Sequence, residues 1–179
     1  MVPHGIADVA PWHDWPAAVD GALEFLAEHV GWDVWAVTRV EGDRQVILRA
    51  YPSAAAPPGT ELPWEHSFCR QMLSGNAPRL ATVTAAVPAY ASRSTGPLDG
   101  VAAYVGVPLV TEDVEVYGTL CGIAFRAKPR SAARELPLVE LVARMLSTLL
   151  FSFQERPPRP ENTPSPRAEK PTDSFVTGT

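Results

Sequence analysis

The stretch 103–125 constrains this chain more than any other. Two apolar runs, 101–109 and 114–125, are joined by the acidic turn Thr111-Glu-Asp-Val-Glu115. Their β-branched, aromatic and small residues carry almost no charge, which predicts a strand pair at the centre of a sheet with both faces covered. A layer is therefore expected above it and another below. Gly106, Gly118 and Gly122 interrupt these strands. Glycine weakens a strand by roughly 0.5–1 kcal/mol of backbone entropy, so each of the three marks the close approach of a helix, a bulge or a ligand.

The flanking segments supply the layers. Asp14-Trp-Pro16 is a helix start with proline in the first turn, and Val19, Ala22, Leu23, Leu26 and Val30 form one apolar stripe ending at Gly31. Together they predict a helix over Trp15–Val30. Trp32 to Val40 and Arg44 to Tyr51, separated by Glu41-Gly-Asp43, predict a β-hairpin. The segment 52–63, with four prolines and three consecutive alanines, reads as a loop over the sheet. Ser67 is placed to cap a short helix that buries Phe68, Cys69, Met72 and Leu73 and stops at Gly75. A short strand over 77–83 and a loop over 84–100 with a helical turn at Val87-Pro-Ala-Tyr90 lead to the central hairpin. After the charged connector 126–135, Pro137 opens a helix that runs to Gln154. It bears two apolar stripes: Val139, Leu146, Leu150 and Phe153 to cover the sheet, and Leu138, Val142, Met145 and Leu149 to meet a second copy of the chain. The expected fold is α+β, an antiparallel sheet of five to six strands. Residues 1–14 read as a lead-in, 15–155 as the domain, and 156–179, with six prolines, as a disordered tail.

Several function classes are disfavoured. The net charge is −5 with no run of Lys or Arg, which argues against nucleic acid or an anionic membrane as partner. The apolar stretch 136–153 contains Glu140 and Arg144, so it reads as a helix of a soluble protein rather than a membrane span. Residues 1–11 lack the basic start and apolar centre of a secretion signal, and a cytoplasmic location is expected. His4, His13, His29 and His66 are scattered, and no HExxH, CxxC or phosphate-cradling loop occurs; no catalytic or metal site is expected, and the identity of any cofactor is left open. The only cysteines, Cys69 and Cys121, read as small buried hydrophobes rather than activated thiols.

Five pieces in this order, Trp32-Asp-Val-Trp-Ala-Val-Thr-Arg-Val40, Trp64-Glu-His-Ser-Phe-Cys-Arg-Gln-Met72, Val87-Pro-Ala-Tyr90, Ala103-Tyr-Val-Gly-Val-Pro-Leu109 and Tyr117-Gly-Thr-Leu-Cys-Gly-Ile123, resemble GAF sensor domains of bacterial signalling proteins. The resemblance implies terminal helices on one face of the sheet and, on the other, a small-molecule pocket roofed by the middle helix and loops. Its expected wall is Trp35, Phe68, Tyr90, Tyr104 and Gly106, with Cys69, Thr119 and Cys121 completing it, and Tyr117 sharing the face of Thr119 and Cys121. Two departures bear on the ligand: relatives carry an acidic residue where Ala124 stands, and an Asp-Gly turn where this chain has Thr111-Glu-Asp-Val-Glu115. The resemblance implies a small-molecule sensor; the second stripe of the last helix makes a homodimer the expected assembly, and a separate signalling protein in trans is the expected target. A ligand-free dimerisation module and a GAF-type free methionine sulfoxide reductase are the alternatives.

Overall fold

A computed structural model describes residues 9–154; the tail 156–179 and most of the lead-in lie outside the described residues. Helix α1 (Trp15–Val30) begins where expected. Asp14 accepts a hydrogen bond from the amide of Ala17, and the helix ends at Gly31 with φ +67°, a conformation glycine adopts without steric cost. The hairpin β1 (Val34–Glu41) and β2 (Arg44–Tyr51) follows, then β3 (Glu61–Pro63), α2 (Phe68–Leu73), β4 (Leu80–Ala81) and α3 (Pro88–Ala91). The central hairpin is β5 (Ala103–Val110) and β6 (Val116–Ala124), and α4 (Leu136–Gln154) closes the described chain. Two expectations need adjustment. The loop 52–63 ends in a strand, β3, which adds to β2 at the sheet edge where Pro63 costs no ladder bond. The strand expected over 77–83 shrinks to two residues.

The six strands form one sheet in the order β3-β2-β1-β6-β5-β4, and every described pairing is antiparallel. Helices α1 and α4 cover one face, burying Val19, Leu23, Leu26, Trp35, Val37, Leu120, Val139 and Leu146. The Trp15 indole donates to the Leu146 carbonyl at 2.9 Å and fastens the two helices together. The other face carries α2 and α3, with Phe68, Cys69, Met72, Tyr90 and Tyr104 as a second core.

By length and composition, 130–153 could cross a membrane. Here it lies along the sheet, and Glu140 is paired with Arg79 at 2.6 Å. In the β5–β6 turn, Val114 takes φ +61°, the left-handed position that glycine fills in an Asp-Gly turn.

A β-bulge decides which side chains reach the second face. Leu109 pairs with Gly118 but Val110 pairs with Val116, leaving Tyr117 as an extra residue on β6. The alternation that places Thr119 and Cys121 on the α2 face therefore fails one step earlier. Tyr117 turns instead to the α1/α4 layer, where its ring meets Trp15 edge-on at 5.7 Å. The expectation that Tyr117 joins Thr119 and Cys121 is corrected accordingly.

Candidate functional site

Between the sheet and α2 lies a cavity of about 440 Å³, within the range used for small-molecule sites. Strand β1 contributes Val34, Ala36 and Thr38, and β2 contributes Gln45 and Ile47. The loop before β3 adds Ala55, Ala56, Pro57 and Thr60, and β3 itself adds Leu62. Ser67, Phe68 and Cys69 come from the start of α2, Pro97 and Leu98 from the loop before β5, Tyr104 from β5, and Cys121, Ile123 and Phe125 from β6 and its end. No lining residue is charged. The walls are hydrocarbon, with a polar cluster at one end.

That cluster is ordered by its own hydrogen bonds. Thr38 and Thr119 face each other across the β1–β6 pairing, hydroxyl to hydroxyl at 2.7 Å. The Gln45 amide donates to Thr38 at 2.9 Å and to Thr119 at 3.3 Å. Thr119 donates to Cys69 Sγ at 3.2 Å, and the Tyr104 hydroxyl donates to the same sulfur at 3.2 Å. A hydroxyl has one hydrogen. With Thr119 spent on sulfur, Thr38 donates to Thr119 and Gln45 to both oxygens, so the whole chain of donors is directed at Cys69. Gln45, Thr38 and Thr119 are all buried, where such chains reinforce one another.

The thiol responds to these donors. The pKa of Cys69 is lowered to about 6, first by a hydrogen bond from the Cys121 thiol and then by those from Thr119, Tyr104 and Gln45, against the upward push of burial. That of Cys121 is raised by Cys69 and by burial. Burial, then Cys69, holds the Tyr104 phenol well above its ordinary range, so it stays a donor.

The expected site residues fall into three groups. Phe68, Cys69, Tyr104 and Cys121 line the cavity, and Thr119 forms part of its polar end from just behind. Tyr90 packs at a tilt against Phe68 and edge-on against Tyr104, with ring centroids 4.8 and 5.1 Å away, and donates to the Pro78 carbonyl at 2.6 Å, so it buttresses the wall without lining it. Trp35 and Gly106 correct the sequence reading. Trp35 points to the opposite face, fully buried beneath α1 and α4, because the residues of β1 that face the cavity are Val34, Ala36 and Thr38. Gly106 does not line the cavity, since the Tyr104 ring lies across it: a Cβ there would stand 2.0 Å from the phenolic oxygen. Gln45 and Thr38 escaped the sequence reading. Their only signal is a polar residue alternating with Ile47 in one strand and with Ala36 in the other.

A second concavity, an open apolar groove of about 440 Å³, runs between α1 and α4 and is lined by Trp12, Ala22, Phe25, Leu138, Leu141, Met145 and Leu149 among others. Of the four residues expected to face a second copy, Met145 is 47% exposed and Leu138 and Leu149 are half-buried. Val142 is buried at the floor of the groove, and Leu141, 52% exposed, lines it beside the four.

No family model and no curated protein matches this sequence. Solved structures do match in shape. A free methionine-R-sulfoxide reductase from Neisseria meningitidis, in complex with its substrate, is similar at TM-score 0.63 and 19% identity, over 83% of this chain and 84% of that one. The GAF domain of an Acinetobacter phosphoenolpyruvate-protein phosphotransferase is similar at 0.59 and 12%, over 82% and 88%. The GAF domain of a two-component sensor histidine kinase from Bacillus halodurans is similar at 0.54 and 12%, over 76% and 96%. The fold is GAF-like.

Proposed function

We propose that this GAF-like chain is a small-molecule-sensing regulatory domain that binds an uncharged, largely apolar ligand between the sheet and α2. The observation that carries this reading is the cavity itself. Protein interiors are close-packed, with few voids larger than a water molecule, so a space of about 440 Å³ with hydrocarbon walls and one ordered polar end is suited to a ligand rather than to a filled core. The ligand's body meets Ile47, Phe68 and Leu98, and one polar group reaches Gln45 and Thr38. A free amino-acid sulfoxide carries an ammonium and a carboxylate, for which this uncharged lining has no partner. That favours a binding role over the reductase chemistry of the Neisseria protein. GAF domains occur among the similar structures within a phosphotransferase and a sensor histidine kinase, which supports a signalling role.

Native mass spectrometry of protein purified from its own host is expected to show a co-purifying neutral molecule. The uncharged fluorophore N-phenyl-1-naphthylamine is expected to bind the emptied protein with a blue-shifted emission, and Ala36→Phe, which projects a ring into the cavity from β1, to abolish both. Absence of an added mass together with absence of probe binding overturns the reading in favour of a ligand-free module.

The same proposal includes a homodimer built on the α1/α4 groove. Phe25, Leu141 and Met145 leave an apolar face exposed, and about 800 Å² per chain is a standard area for such a pairing. Light scattering should report a dimer that Met145→Glu or Leu141→Glu converts to monomer with an unchanged circular dichroism spectrum. Both side chains are exposed, so the charge tests association rather than folding. A wild-type monomer at high micromolar concentration rules the dimer out.

A further inference from the structure

Cys69 and Cys121 come from different elements, α2 and β6, yet both line the same cavity and both are free thiols. Cysteines that serve only as small hydrophobes face hydrocarbon. Cys69 instead receives two hydroxyl donors, from Tyr104 and Thr119, each at 3.2 Å, and two donors on one sulfur favour the thiolate. Thr119 stands two residues before Cys121 on the same face of β6, so the residue that binds the Cys69 sulfur also holds it beside its partner. Gly106 is the cross-strand neighbour of Cys121. Its missing side chain lets the Tyr104 hydroxyl lie over that position, within reach of the Cys69 sulfur. The charge asymmetry runs the same way: Cys69 is lowered and Cys121 raised, so one thiol is poised to attack while the other keeps its proton.

We infer that Cys69 and Cys121 form a two-thiol redox site at the cavity floor, with Cys69 the residue oxidised by a small peroxide and Cys121 the residue that resolves it. The Cys69 thiolate attacks one oxygen of hydrogen peroxide, the O–O bond breaks, and hydroxide leaves with the electron pair, giving Cys69 sulfenic acid; the proton released by Cys69 converts that hydroxide to water. The Cys121 sulfur then attacks the sulfenic sulfur, the S–O bond breaks, and the departing oxygen takes the Cys121 proton to leave as a second water. Two thiols and one peroxide become one disulfide and two waters. Peroxide is small and neutral, so an uncharged cavity admits it. The bond ties α2 to β6 across the polar end and turns the sulfur on which the Tyr104 and Thr119 hydroxyls converge from a thiolate into a neutral, weaker acceptor, so oxidation alters the end of the cavity that would meet a ligand's polar group.

The test uses the reduced full-length chain treated with hydrogen peroxide. The intact mass is expected to fall by two hydrogens, a non-reducing peptide map to link Cys69 to Cys121, and dithiothreitol to reverse both. In Cys121→Ser, dimedone should label Cys69 after peroxide. In Cys69→Ser, Cys121 should stay unmodified over the same time. Thr119→Val and Tyr104→Phe each remove a donor without changing shape much. Combined, they should slow Cys69 oxidation at pH 5 by about tenfold, the effect on the thiolate population of raising the Cys69 pKa by one unit from about 6, with circular dichroism unchanged. Peroxide that drives Cys69 to sulfinic acid while Cys121 stays free, or that links only separate chains, overturns the inference, as does a wild-type rate no faster than that of free cysteine. None of these readouts uses a cavity ligand, so they stand or fall independently of probe binding.

Discussion

Gly118→Ala is expected to cost roughly 3–5 kcal/mol of stability and to lower the melting temperature by about 10 °C or more. The added Cβ would stand 1.8 Å from the Thr38 carbonyl oxygen, 2.8 Å from its carbon and 2.9 Å from Arg39 Cα. These are backbone atoms of β1, the strand paired on both sides with β2 and β6, so neither a rotamer change nor a local shift relieves the contact without parting the ladder. The gain from replacing glycine in a strand, roughly 0.5–1 kcal/mol, is too small to compensate. The close approach also serves the site, because it lies one residue from the Thr38–Thr119 hydroxyl pair and the Cys69 network depends on that spacing. Urea denaturation should show the midpoint falling with an unchanged slope, and the Cys69 thiol should lose its enhanced reactivity in whatever fraction still folds. Gly42→Ala serves as the comparison. Nothing lies within 4 Å of its new methyl, and only its φ of +59° opposes alanine, so about 1 kcal/mol is expected there. A Gly118→Ala protein within 1 kcal/mol of wild type would refute the strand-contact explanation.

Where local chemistry alone decides structure, the sequence was readable to the residue: Asp14, Pro16 and Gly31 bound α1, Ser67 caps α2, and Pro137 sits in the first turn of α4. The two-faced sheet was legible as well, because neither strand of the central hairpin has a polar side. What stayed hidden was which face each side chain takes. The run Trp32 to Val40 is apolar on both faces, so alternation alone could not tell Trp35 from Ala36; the larger residues, Trp35 and Val37, went to the helix-covered core, and the smaller Ala36 and Thr38 to the cavity. Tyr117 was misplaced because a bulge adds one residue without a side-chain signature, and only Gly118 beside it gave any sign. Gln45 and Thr38 carried little signal of their own, because their burial comes from α2, β3 and the loop before β3, which close over that face of the hairpin. Two cysteines among apolar neighbours read as packing, and only the fold brings the hydroxyls of Tyr104 and Thr119 to one sulfur.

Gly106→Val separates the two explanations of that glycine. The sequence reading makes it a spacer in the pocket wall, so valine fills the cavity and spares the fold. The structure leads to a different result. A Cβ at 106 would meet the Tyr104 hydroxyl at 2.0 Å and its Cζ at 2.5 Å. A phenol can usually swing aside, but this one is fully buried, flanked by Phe68 at 5.5 Å and Tyr90 at 5.1 Å, and tied to Cys69. Valine is a better strand former than glycine, yet overpacking of this kind costs about 1–3 kcal/mol for inserted methylenes in a full core, and valine brings three carbons to a site with room for none. A loss of about 3 kcal/mol is therefore expected, with the Tyr104–Cys69 bond broken and Cys69 oxidation slowed. Tyr104→Ala removes the obstacle and leaves a space into which the valine can relax. The double variant Tyr104→Ala/Gly106→Val should accordingly be more stable than the sum of the single losses, by about 1 kcal/mol or more. Strict additivity would mean that the Tyr104 ring is not what requires glycine at 106. A Gly106→Val protein with wild-type stability and no probe binding would restore the pocket-wall explanation, because only a side chain directed into the cavity blocks a ligand without disturbing the ring beside it.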